Sequence, residues 1–386
     1  MLTRIALVCG LLFCFVAHAV GQTKSGPTPA KLAPQANETL APIVAPAAKL
    51  LAAAHGRSRE AHTLDHFSSI VEDCERALGQ RSPPQTGTYA KQLAAWAYNR
   101  RGEVYAEQAA GLANEGEQRQ ANELDALALD DFQAAVRLDA GKWKALHNRG
   151  VSLALHGQFD AALGDFAKVI ELKPDNVNTW FNRGEVQARL DRLAEAKADY
   201  SHALKLKPDD IDAVLGRGAV EQRSQNSRAA LADFNQALKL QPNHSVALCA
   251  RGDAHVSLGQ WQAAADDYRR AIKLSPKLGA AYRGAAWLMA TCPEEPLRNE
   301  QLALESARKA LELSGSDNIA NLDTLAAAEA NAGQYEAARA TLAKAIELSP
   351  PSKLAPLQAR LELYSASQPY RESASATQAG NAQANR

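Results

Sequence analysis

The chain has 386 residues and carries 43 Lys+Arg against 43 Asp+Glu, so its formal net charge is zero. Balanced charge lacks the basic footprint that holds nucleic acid and gives no long-range pull toward an acidic membrane surface. A compact protein of this length divides into roughly two or three domains, but a repeat array, whose units touch only their neighbours, escapes that rule.

Arg4 supplies a small positive segment, Ile5 to Val16 an apolar stretch, and Ala17-His18-Ala19 a small-x-small cleavage site. Residues 1–19 therefore read as an export signal, with the mature chain starting near Val20. The apolar stretch is too short to span a bilayer, and no other is long enough. Neither Cys9 nor Cys14 follows the small residues that a lipoprotein signal needs. The expected location is the periplasm, the cell envelope or the exterior. Residues 20–42, rich in Pro, Ala and Thr, read as a flexible tether.

A degenerate helix pair is expected from Ile43, ending in the amphipathic run Phe67 to Leu78, with Arg81 to Gly87 as a loop. The next unit is expected to start near Ala95. Its Gly102 and Phe132 are 30 positions apart, where glycine and aromatic in the later copies are 16 apart. The inserted residues are polar and lack proline, which predicts a hairpin, about residues 106–131, longer by about two turns in each helix.

From residue 143 to 278 a pattern repeats every 34 residues. Gly150, Gly184, Gly218 and Gly252 are each preceded by arginine. Ala162, Ala196, Ala230 and Ala264 follow, and then Phe166, Tyr200, Phe234 and Tyr268. Pro174, Pro208, Pro242 and Pro276 close the units. Within a unit, Leu146, Gly150 and Leu153 have helical spacing, as do Ala162, Phe166 and Val169, and Gly157 between them is a stop signal. Each unit is thus an antiparallel helix pair whose apolar face is covered only by stacking. The unit covering 279–318 is interrupted by Thr291 to Gln301, and Gly333 to Pro350 restores the second-helix pattern. Leu354, Leu357, Leu361 and Tyr364 give a one-faced helix, 353–364, to cap the stack. Residues 365–386, dominated by Ser, Ala, Gln and Asn, read as a disordered tail.

The runs NRGVSLALHGQFDAALGDFAKVIELKP and NRGEVQARLDRLAEAKADYSHALKLKP resemble the tetratricopeptide repeat family. That family has a small residue in its first helix, alanine and an aromatic in its second, and a terminal proline. The resemblance is specific over 143–278 and looser over 43–352, about eight repeats in all. It resembles exported bacterial members and implies an all-α, right-handed superhelical solenoid of antiparallel helix pairs. A groove lined by the first helices would then hold peptide segments. Carried onto this chain, the lining positions are Asn99, Arg100 and Glu103, then His147, Asn148, Val151 and Leu155, then Phe181, Asn182, Glu185 and Arg189. Beyond these come Leu215, Gln222, Arg223, Cys249, Asp253, Val256, Arg283 and Trp287. Asn148 and Asn182 are candidates to bond a peptide backbone, because an amide both donates and accepts. Phe181 and Trp287 are candidate apolar anchors. His147, Phe181, Leu215 and Cys249 stand where a carboxylate clamp would place lysines, which argues against a chaperone-tail adaptor.

The internal copies carry one more regularity. Arg101, Arg149, Arg183, Arg217 and Arg251 co-occur with Asp131, Asp165, Asp199, Asp233 and Asp267, and the last two units lack both. A salt bridge between facing helices is expected. The alternative is a basic stripe facing a ligand.

Little points to chemistry. No Gly-rich phosphate loop, nucleophile elbow or paired-cysteine zinc spacing occurs. His62 and His66 lie one turn apart, near Asp65 and His55, a spacing able to share a metal ion. Without a His-Glu-x-x-His motif they read as surface histidines. Cys74, Cys249 and Cys292 are too scattered for a disulfide framework and read as buried small hydrophobes. The sequence therefore predicts a protein-binding scaffold with no catalytic residues, no metal and no cofactor, whose partners are other proteins. The alternatives are a subunit of an envelope-biogenesis or secretion complex, and an enzyme built on the N-terminal histidines.

Overall fold

The computed structural model describes residues 41–372. The expected signal (1–19), nearly all of the tether (20–42) and the tail from 373 onward lie outside them. Among the described residues there are helices and short 3-10 turns but no strand. The chain forms two compact units, one up to Lys207 and one from Pro208.

The first unit holds four helix pairs. They are α1 (Ala41–Ser58) with α2 (Leu64–Leu78), α3 (Pro84–Glu115) with α4 (Gln118–Leu138), α5 (Trp143–Leu155) with α6 (Phe159–Leu172), and α7 (Val177–Arg189) with α8 (Leu193–Leu206). The second unit holds α9 (Ile211–Arg223) with α10 (Ser227–Leu240), α11 (Ser245–Ser257) with α12 (Trp261–Leu274), α13 (Gly279–Thr291) with α14 (Glu300–Ser314), and α15 (Ile319–Asn331) with α16 (Tyr335–Glu347). A final helix, α17 (Leu354–Ser365), packs on α16. Within each unit the first helices of successive pairs touch one another: α3, α5 and α7 in one, α9, α11, α13 and α15 in the other.

Two expectations are corrected. Arg81 to Gly87 is not wholly a loop, because α3 starts at Pro84, where a missing backbone N–H costs a helix nothing. Residues 366–372 are not a loose tail, because they fold back onto α13. The long hairpin is present: α3 runs on from Gly102 to Glu115, whereas α5 runs from Gly150 only to Leu155. It turns at Gly116, whose φ of 90° lies in the left-handed region that favours glycine.

Why glycine and aromatic travel together is visible in the contact between paired helices. A Cβ added at Gly102, Gly150, Gly218 or Gly252 would stand 2.6–2.8 Å from the ring of Phe132, Phe166, Phe234 or Tyr268. At Gly184 the ring of Tyr200 would be 3.1 Å away. Each ring therefore rests on bare backbone, and a methyl group is too much. Tyr268 is held from two sides, since Gly284 of the next first helix would also place a Cβ 2.5 Å from it.

The arginine before each of the five glycines makes a two-pronged bond to its aspartate. In every copy Nε donates to one carboxylate oxygen and Nη2 to the other, at 2.6–3.0 Å. The aspartate side chains are 4–9 % exposed and the arginines 20–25 %, so these are partly buried pairs inside one helix pair. The carboxylate bond pushes the guanidinium pKa of Arg101, Arg149, Arg217 and Arg251 up. A ligand-facing basic stripe is thereby ruled out for these arginines.

Gly150→Ala is expected to destabilise the chain by about 1–3 kcal/mol despite alanine's better helix propensity, because the fully buried Phe166 ring would have to shift. Gly111→Ala, on the exposed hairpin with nothing within 4 Å, is expected to stabilise it by about 0.5–1 kcal/mol. Urea unfolding checks both; the same sign for the two would contradict the ring contact. A double-mutant cycle on Arg183 and Asp199 is expected to give a coupling of about 1–3 kcal/mol, and coupling near zero would show the pair to be idle.

Candidate peptide-binding groove

In the first unit, the side chains expected to line a groove are mostly buried between successive first helices. Asn148 on α5 donates through Nδ2 to Asn99 Oδ1 and Glu103 Oε1 of α3, both at 3.0 Å, and Asn99 Nδ2 donates to Glu103 Oε1 at 2.9 Å. Arg100 pairs with the other oxygen of Glu103. His147 bonds Thr179 Oγ1 of α7 at 2.8 Å through Nδ1, and its Nε2 faces Asn182 Nδ2 at 3.5 Å. Glu185 accepts from the Tyr200 hydroxyl.

Phe181 is buried with its ring tilted against Tyr200 at 5.7 Å, and Val151 joins the core around Phe166. Asn99, His147, Asn148, Val151 and Asn182 thus join first helices to one another, whereas Phe181 and Glu185 meet Tyr200 in the second helix of their own pair. Of the same set, Arg189 is exposed, with its guanidinium 5.4 Å from the centre of the Phe159 ring. Burial of a polar ladder is tolerable because its members satisfy one another. Burial also lowers the His147 pKa to about 4, so the ring is neutral near pH 7 and is no cationic clamp.

In the second unit Asp253 accepts a 2.6 Å bond from the Tyr268 hydroxyl. Burial pushes the carboxyl pKa of Asp253 up, against the pull of the nearby Arg283. Cys249 is buried, and desolvation raises its thiol pKa well above the usual value; Cys74 is pushed up to about 12 for the same reason. Cys74, Cys249 and Cys292 are all free and buried. Arg223 ends α9 and is half-buried.

Trp287 is the candidate anchor on α13, and it is occupied. The chain turns after α17 at Ser367, a non-glycine residue with φ 55°, and runs back across the first-helix face. Trp287 Nε1 donates to Glu372 Oε1 at 2.9 Å, and the Tyr370 ring lies 5.8 Å from the indole. The Glu372 amide donates to Thr291 O and Arg371 Nη1 to Ala290 O, both at 2.8 Å. Those carbonyls end α13 and have no partner within it. Arg360 of α17 stands 5.4 Å from the centres of both the Trp287 and Tyr370 rings, and is itself fixed by two bonds to Asp323 of α15, at 2.9 and 2.6 Å. Sequence reasoning missed Asp323, Arg360, Tyr370 and Glu372. The available signal was a tyrosine, an arginine and a glutamate in succession within an otherwise small and polar tail.

Among the described residues no group of three or more His, Cys, Asp and Glu side chains is placed to hold a metal ion. His62 and His66 meet edge to face, with ring centres 5.1 Å apart. Nor is any described helix long and apolar enough to cross a membrane.

Stacked helix pairs with small-on-aromatic contacts and adjacent first helices define an all-α repeat scaffold. A family model described as tetratricopeptide repeat matches residues 121–177, 147–211 and 215–279, and another of that description matches 322–352. The chain belongs to the tetratricopeptide repeat family, an assignment that makes it a scaffold of the protein-binding kind. No curated protein matches it. Among solved structures, a tetratricopeptide repeat protein from Parabacteroides merdae is similar at 17 % identity and a TM-score of 0.51, over 68 % of this chain and 98 % of that one. YrrB, described as having an unusual peptide-binding site, is 21 % identical over 50 % of this chain and 95 % of its own, with a TM-score of 0.40. Yeast Tom70 is 16 % identical over 83 % of this chain and 64 % of its own, with a TM-score of 0.44. At these identities the likeness concerns the fold.

The buried His147 gives the first unit a pH dependence. The unfolded chain gains a proton as pH falls below about 6.5, whereas the native ring resists until about 4, so stability falls across that window and levels off below it. Between about pH 7.5 and pH 4.5, wild type is expected to lose about 2–3 kcal/mol more than His147→Gln in urea unfolding. Equal losses would refute the buried, neutral ring.

Proposed function

We propose that the chain is a non-catalytic scaffold that is exported and binds peptide segments of other proteins on its first-helix faces, within the bacterial envelope or outside the cell. The observation that carries this is the seating of the chain's own non-helical residues 369–372 on the first-helix face of the second unit, with a backbone amide bonded to a helix carbonyl. A surface that accepts one such segment has the donors, acceptors and rings to accept another. Export rests on the charged, apolar and small-x-small pattern of residues 1–19.

The buried Asn and His ladder narrows where contact is made. Asn148 and Asn182 act by spacing the first helices, and the peptide is met by side chains that reach past them, such as Arg189. A photoreactive residue placed at Arg189 or at Arg223, one in each unit, is expected to trap partner proteins in cells. The same residue at Leu172 or Leu240, exposed at second-helix ends, is expected not to. Adducts confined to the second-helix positions would overturn the groove reading. Mass analysis of the exported fraction is expected to give a chain starting near Val20, and an intact Met1 chain there would overturn the signal.

A further inference from the structure

We propose that α13, α15 and α17 form a binding site for a short non-helical peptide with an aromatic residue, a basic residue and a carboxylate in succession, and that Tyr370-Arg371-Glu372 occupies it in cis. The proposal rests on the first-helix face being a peptide surface, and it adds the ligand chemistry and the competitor.

Each ligand group meets a group suited to it. The aromatic ring lies against Trp287 and beneath the Arg360 guanidinium, a combined ring and cation–π contact. The basic side chain caps the C-terminal carbonyl of Ala290, where the helix dipole favours a cation. The carboxylate takes the indole N–H of Trp287, and its own backbone amide takes the Thr291 carbonyl.

Two further features mark this as a receptor and an exchangeable occupant. The receptor has supports of its own, because Arg360 is held by Asp323 and α17 is packed on α16 by Leu357 and Tyr364, a core to which Tyr370 adds only a partly buried contact. The segment, in contrast, follows the exposed residues 365–368 and is only half-buried from Pro369 to Glu372. Its turn at the left-handed Ser367 is made by α17 itself, the Ser367 and Gln368 amides donating to Tyr364 O and Leu363 O, so the segment beyond can leave without unmaking the helix end. A tethered ligand competes at an effective concentration of about millimolar, which masks the site from weak peptides in trans.

The probe is a fluorescent peptide of residues 366–374, measured by anisotropy on the full chain. It is expected to bind Tyr370→Ala/Glu372→Ala at least about tenfold more tightly than wild type. Binding is expected to vanish when Trp287→Ala is added, and for a peptide lacking the tyrosine and glutamate. No binding to the double variant, or equal binding to it and to wild type, overturns the proposal. Hydrogen exchange on wild type gives a readout that needs no substitution. Excess peptide is expected to speed exchange of the Glu372 amide, and unchanged exchange overturns the proposal. Loss of probe binding with photoadducts retained at Arg223 removes this site and spares the wider groove; probe binding without those adducts does the reverse.

Discussion

The approach of two helices within a pair governs much of the remaining geometry, and it is set by a ring resting on bare backbone. A Cβ at Gly150 would sit 2.8 Å from the Phe166 ring, and the other copies repeat the contact. The ring fixes the separation of the pair, which in turn brings arginine and aspartate, on the residues just before glycine and ring, to 2.6–3.0 Å. A two-pronged bond tolerates little rotation, so it locks the register that the ring permits. Steric contact and ion pair thus act on one degree of freedom from opposite sides. Their joint loss in the final two pairs is then intelligible, because a bond that needs the spacing has no use without it.

Fixing the pair leaves the angle between successive pairs to be set by whatever lies between first helices. In the first unit that layer is polar. Asn99, Asn148, Glu103, His147, Thr179 and Asn182 bond across α3, α5 and α7. Directional bonds specify one packing angle where apolar side chains would permit several, at the expense of desolvating each amide. The second unit differs at its far end. There Arg360 and Asp323 tie α17 to α15, and Trp287 is left facing outward with its indole N–H available to a carboxylate. The ladder builds a surface, and the Trp287 cluster presents one.

Much of the fold was legible because the chain repeats its own experiment. Glycine, alanine, aromatic and proline recur at fixed spacing, and the joint presence and loss of Arg and Asp favoured an internal bridge over a ligand stripe, a choice the bonds between them then made. The groove was less legible, for a geometric reason. Counting from the helix glycine places Asn148 and Phe181 on the side of the helix that meets its neighbour. Whether that side is open depends on the angle between first helices, which no period within one unit encodes. The fold-back of residues 366–372 was hidden by averaging: Ser, Ala, Gln and Asn dominate the tail, and three informative residues disappear in the mean.

The two ways of filling the first-helix face bear differently on binding. Asn148 and Asn182 are engaged within the fold, so a peptide seeking their amides would first have to break bonds between helices, and the gain would be small. The Trp287 indole N–H and the carbonyls of Ala290 and Thr291 are engaged by a tethered segment. Displacing that segment exchanges one set of contacts for an equivalent set and leaves the helices in place. Binding there needs little rearrangement of the receptor, and selectivity arises from competition with a tethered occupant. A trans peptide must outdo a ligand that is always nearby, so weak matches are rejected without any clash built against them. The same comparison explains why an otherwise small-residue tail carries a tyrosine, an arginine and a glutamate together: each meets a group on α13 or α17 suited to it.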